Sequence, residues 1–265
     1  MYQHTAQQWV EQLPNPSSRT KVSAKILGIM RNLLVYGFDK SGDQTDSQSF
    51  FDLAVTHLQK FYQACQSSIS SLSDGLDNNL HGPSQKEVLR HVANLTKLFS
   101  TYASERPFEF LLMHNTPMVV SAFVQICQHE ADQFNKPADE TDEERLTVLG
   151  KIVIGGISTI RSLLRGLSDP RVLEKGTPAP FGLLNVERQD RPDQVAVAST
   201  TLASIFNTQN IHELAVLLIK HFLILRHSDL EAWQDDPEEW ILEVTGDVVT
   251  AESGFRVFPR LCRQC

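Results

Sequence analysis

The sequence predicts an all-α protein, built as an α-solenoid of antiparallel helix pairs. Three observations lead there. Apolar residues recur at helical spacing through most of the chain. The periodic segments number about seven and are long, as stacked helix pairs require. No segment alternates convincingly as a strand would, and FRVF at 255–258 is too short to count.

The first helix is expected over 18–37, with Val22, Ile26, Ile29, Met30, Leu33 and Tyr36 as its inward stripe and Gly37 as its stop. The second covers 46–72, where Phe51, Val55, Leu58, Phe61, Tyr62, Cys65, Ile69 and Leu72 share a face. The third, 84–103, opens on Ser84 and Glu87 at capping-box spacing and buries Val88, Val92, Leu95, Phe99 and Tyr102. The fourth, 116–134, takes Thr116 as cap and Pro117 as first residue, with Val119, Phe123, Ile126 and Cys127 inward.

The fifth helix, 141–168, starts at the Thr141 and Glu144 capping box. Its apolar stripe from Leu146 to Leu167 is widened by Ile152 and Ile154, which predicts burial on two sides. Residues 168–193 are rich in proline, glycine and charge and read as an exposed insertion. Two helices follow at 192–206 and 210–226. The second is apolar nearly all round and is expected to sit deep.

Helix starts near 18, 84, 141 and 210 lie further apart than the roughly 40–47 residues of HEAT-type units. The pattern therefore implies degenerate repeats with long loops. A large globular bundle is the rival arrangement.

The bulk composition narrows the function. The chain has 265 residues, 41% of them hydrophobic, with a net charge of −8. An acidic chain repels phosphate, which argues against direct nucleic-acid binding and for protein partners. Four cysteines are present, and Cys65 and Cys127 fall on apolar helix faces, a usage that suits a reducing compartment. The N-terminal residues lack a signal-peptide pattern. The longest apolar run, LAVLLIKHFLIL, is broken by Lys220 and His221 and is too short for membrane insertion. The expected setting is cytosolic or nuclear.

No motif for catalysis, cofactor or metal binding emerges. His129-Glu130 resembles the start of a zinc-protease helix, but Gln133 stands where the second histidine belongs, so a solvated helix end is expected. DKSGDQ at 39–44 lacks the glycine and closing glutamate of a calcium loop. Cys262 and Cys265 form a CxxC without two further ligands at matching spacing. The histidines at 91, 114, 129, 212, 221 and 227 share no ligand spacing. Gly155-Gly156 sits inside an apolar helical stripe, where close helix packing explains it. The chain reads as a non-enzyme.

The least ordinary stretch is SDLEAWQDDPEEW, residues 228–240, within an acidic corner at 228–243. Ser228 and Glu231 make one capping box. Asp236 caps a second helix, with Pro237 first and Glu239 third. Trp233 and Trp240 are then expected to pack inward. Adjacent cap carboxylates do not face each other across a cleft, so acid catalysis is not indicated.

This stretch resembles a segment of the karyopherin-β (importin-β) superfamily and is most similar to the importin-eleven-type nuclear transport receptors. The residues that carry the resemblance are Ser228, Asp229, Leu230, Trp233, Asp236, Pro237, Glu238 and Trp240, then Phe255, Arg256, Pro259 and Cys262. Arg260 and Leu261 separate the last two, a departure from the family's tighter Arg-Pro-Cys form. The resemblance implies a HEAT-repeat-like right-handed superhelix without cofactors, shuttling between nucleus and cytoplasm. Its implied partners are protein cargo, phenylalanine-glycine (FG) nucleoporins and, mainly through repeats outside this chain, the Ran GTPase. It also implies a central fragment of a longer receptor. Within it, the acidic stretch is either a structural corner or a partner contact.

Overall fold

The computed structural model describes residues 16–37, 45–71, 85–131, 143–168, 192–222 and 233–238. Among these the regular structure is entirely helical, as the period of the apolar residues predicts. The helices are α1 (Pro16–Asn32, continued by a π-helical turn, Leu33–Gly37), α2 (Thr45–Ser71), α3 (Gln85–Glu105), α4 (Pro107–Leu112), α5 (Thr116–Glu130), α6 (Glu143–Ser168), α7 (Pro192–Ile205) and α8 (Thr208–Leu217, continued by a second π-helical turn, Leu218–Phe222). The expected insertion at 168–193 lies almost wholly outside the described residues, as does most of the 228–243 corner.

Side-chain contacts give the direction of each helix. Ser23 Oγ lies 3.2 Å from His91 Nδ1, and twelve residues on, the carbonyl of Val35 accepts from Arg106, so α1 runs parallel to α3. Thr96 stands against Gly155, and Ser100 to Glu105 face Ser158 to Arg165, so α6 is parallel to α3 as well. Asp52 accepts from Asn115, and Tyr62 donates to Glu130, so α2 and α5 are parallel to each other. Phe51 meets Phe99 while Phe61 meets His91, so α2 is antiparallel to α3. The helices α1, α3 and α6 thus stack side by side and point one way. On them lie α2 and α5, which point the other way, and α7 packs beside α5.

The interface between the two layers is aromatic. The ring of Phe51 meets Phe99 at 5.4 Å and Phe110 at 5.3 Å, both edge to face, and Phe99 reaches Phe123 at 6.2 Å. These rings come from α2, α3, α4 and α5, and all four are fully buried. Edge-to-face pairs at such separations add to the area they remove from water. The paired glycines of α6 serve both layers. A Cβ on Gly155 would come within 2.5 Å of Thr96, and one on Gly156 within 3.0 Å of the Phe123 ring. One glycine admits α3 and the next admits α5, which is the close packing the sequence suggests.

Several expectations need correction. The helix α4 was not anticipated; its sequence signal is Pro107 at the first position, and Phe110 and Leu111 carry it into the core. The cap of α5 is Asn115, and Thr116 is fully buried, its hydroxyl donating back to the carbonyl of Phe110 at the end of α4. The inward face of α1 is rotated from the predicted stripe. Ser23, Leu27, Leu34 and Val35 are buried, whereas Val22, Ile29, Leu33 and Tyr36 are exposed. The rotation is already present at Ser23 and Leu27, ahead of the π-helical turn at Leu33–Gly37. Arg106 holds that turn from inside, donating to the carbonyl of Val35 at 3.0 Å while pairing with Glu109 at 3.2 Å. Finally, α8 does not sit deep. It starts two residues earlier than expected, capped by Asn207, and buries Leu217 and, in its π turn, Phe222 but leaves Ile211 and Ile219 in solvent.

Candidate interaction surfaces

Of the eight residues singled out in the acidic stretch, the structure describes Trp233, Asp236, Pro237 and Glu238; Ser228, Asp229, Leu230 and Trp240 lie outside the described residues. The backbone is helical at 233–235, breaks at Asp236 and is helical again from Pro237. That is the position a capping aspartate before an N-terminal proline should hold. The tryptophan departs from expectation. Trp233 is 48% exposed, and every described residue from 233 to 238 is exposed with it. Asp235, Asp236 and Glu238, its described acidic neighbours in the chain, are exposed as well.

The chemistry-bearing side chains of the interior are committed to the fold. Glu130 is buried, and accepts a 2.8 Å hydrogen bond from Tyr62, so the expected solvated helix end is instead an inter-helix tie. Burial, and then the Glu130 carboxylate, raise the Tyr62 hydroxyl well above its ordinary range. Burial also pushes the Cys65 and Cys127 thiols up to about 12, which keeps both protonated and poor as nucleophiles. His91 is lowered to about 3 and His57 to about 4, chiefly by burial. Among the described residues no three His, Cys, Asp or Glu side chains converge as metal ligands.

The outer side of the α1–α3–α6 layer has a different character. Lys86, Arg90, Lys97, Lys151 and Arg165 are exposed along α3 and α6. A groove of about 350 Å³ runs between the C-terminal halves of α3 and α6, lined mainly by serine hydroxyls with Thr101, Glu105, Arg161 and Arg165. Sequence reasoning missed this face. Its signal is present in the charge count of three helices, but only their shared layer makes it one surface. The stretch Thr147–Arg165 of α6 is long and apolar enough to cross a membrane, yet 56% of it is buried in this bundle and its outer stripe carries Lys151, Arg161 and Arg165.

No family model matches the chain, and neither a curated protein nor a solved structure matches it.

Proposed function

We propose that this chain is a stretch of right-handed, HEAT-like α-solenoid that recognises protein partners without catalysis. The observation that carries the reading is helix direction. The helices α1, α3 and α6 run parallel, as do α2 and α5 in the other direction, and these long helices alternate between layers along the chain, which is how stacked antiparallel helix pairs are arranged. The apolar outer sides of α1 and α8 support it further. Val22, Ile29, Leu33 and Tyr36 at one end, and Ile211 and Ile219 at the other, are the kind of faces that the next helix pair of a solenoid covers.

Within that class, the reading extends to a nuclear transport receptor segment that carries protein cargo, contacts FG nucleoporins and shuttles between nucleus and cytoplasm. What supports this is the block from Ser228 to Trp240, together with the exposure of Trp233. An exposed tryptophan in an acidic stretch suits a partner contact better than a buried corner. Binding to immobilised FG repeat peptide, with a phenylalanine-to-serine peptide as control, tests it. Selective retention of the phenylalanine peptide is expected. Equal retention on both peptides, or none, would remove the transport role and leave a scaffold that assembles other proteins.

A further inference from the structure

The charge of this protein is divided between its layers. The helices α1, α3 and α6, with the turn that extends α1, contain eleven Lys and Arg against four Asp and Glu. The helices α2, α5 and α7 contain one lysine, Lys60, against four carboxylates. A chain of net charge −8 therefore carries a strongly basic layer. Helix dipoles do not account for it. Arg161 and Arg165 suit the C-terminal end of α6, but Lys86 and Arg90 lie in the first turns of α3, where a cation is disfavoured.

We propose that the outer side of the α1–α3–α6 layer, centred on the groove between α3 and α6, docks an acidic segment of a protein partner. The proposal rests on the scaffold reading and assigns that scaffold one partner chemistry. With Thr96 beside Gly155, Lys86, Arg90 and Lys97 precede the groove along α3 and Lys151 precedes it along α6, while Arg161 and Arg165 line the groove itself. From Lys151 to Arg165 the rise along α6 is roughly 21 Å. An extended peptide covers that length with about seven residues.

The groove is lined by Ser100, Ser104, Ser158 and Ser162. These short side chains leave room for carboxylates to approach the arginines, and the Ser104 and Ser158 hydroxyls have no hydrogen-bond partner among the described residues. Glu105 at the lip is the one exposed carboxylate described on α3, and it limits how far towards that end an acidic ligand extends. A polypeptide fits better than a nucleic acid on two grounds. The phosphate chain of a nucleic acid continues past the patch to meet the acidic remainder of the molecule, whereas a short acidic segment does not. And the aromatic side chains of α3, Phe99 and Tyr102, are buried while α6 has none, so these two helices offer no ring for bases to stack on.

The test is fluorescence anisotropy of the full chain with a labelled Glu/Asp-rich dodecapeptide, its Gln/Asn counterpart, and a single-stranded oligonucleotide of equal charge. The expected result is salt-sensitive binding of the acidic peptide alone, weakened about tenfold or more by K97E/R165E. Both substituted residues are exposed, so the melting temperature should hold. K60E, a reversal on the other layer, should leave binding unchanged. Absence of acidic-peptide binding, equal binding by K97E/R165E, or tighter binding of the oligonucleotide would each overturn the proposal. So would a self-association that K97E/R165E abolishes, since the occupant would then be a second copy of this chain. If the FG peptide binds and the acidic peptide does not, the basic face fails while the scaffold reading stands.

Discussion

The helices α1 and α3 lie side by side in one layer and point the same way, yet their sequences relate to their burial in opposite fashion. Every residue of the α3 stripe read from the sequence, Val88, Val92, Leu95, Phe99 and Tyr102, is buried. Of the six read for α1, four are exposed, and Ile29 is 60% so. The difference follows from position in the stack. The central helix has α1 and α6 on its flanks and α2 beneath, so only one narrow stripe, with Arg90, Asn94, Lys97 and Thr101, reaches water. An edge helix is covered on fewer sides, and its apolar residues exceed the face available to receive them.

The largest test of this contrast is truncation. Phe99→Ala should cost about 3–5 kcal/mol, because it empties the centre of the aromatic interface. Ile29→Ser should change stability by less than about 0.5 kcal/mol. Urea unfolding of both variants measures the pair, and a costly Ile29→Ser would mean that the α1 face is covered in solution.

Acid should act on the central helix through His91. Its folded pKa, near 3, lies below its ordinary value of 6.5, so the neutral ring is the folded form. Between those values the unfolded chain binds more protons, and stability falls as pH drops below about 6.5. At pH 4.5 the loss from this residue is about 2–3 kcal/mol, and His57 adds to it in the same direction. Stability measured from pH 7 to 4.5 should decline, and His91→Gln should flatten the decline. An unchanged slope in that variant would place the acid sensitivity elsewhere.

The glycine pair gives a smaller effect. Gly155→Ala should destabilise by about 1–2 kcal/mol despite the better helix propensity of alanine, since its Cβ would overlap Thr96. Gly156→Ala, with 3.0 Å to the Phe123 ring, should cost less. Thermal melts of the two variants decide the order. Smallest of all, Trp233→Ala should leave the melting temperature within about 1 °C of the parent, as expected for a half-exposed ring. A clear loss of stability would restore the buried-corner reading.

The candidate surfaces were legible to different degrees. The acidic block stands out in sequence because tryptophan, proline and clustered carboxylates are conspicuous within thirteen residues. Whether Trp233 turns inward is not a local property, since cap geometry places the backbone without deciding what lies beside the ring. The basic face was hidden for another reason. Lys97 and Arg165 are far apart in the chain, and each alone reads as an ordinary solvated charge. Only the parallel stacking of α3 and α6 assembles them.

The sequence by itself determined the helical class of the described residues and the inward face of the central helix, because 3.6-residue periodicity is local. It also marked Gly155-Gly156 as a packing contact, since two glycines inside an apolar stripe have few other uses. Only the tertiary structure decided which neighbours each helix has. That choice set the rotation of α1, the exposure of α8, the use of Glu130 and Arg106 as buried ties, and the separation of charge between layers. Each of these depends on contacts between residues dozens of positions apart, for which a single sequence carries no periodic signal.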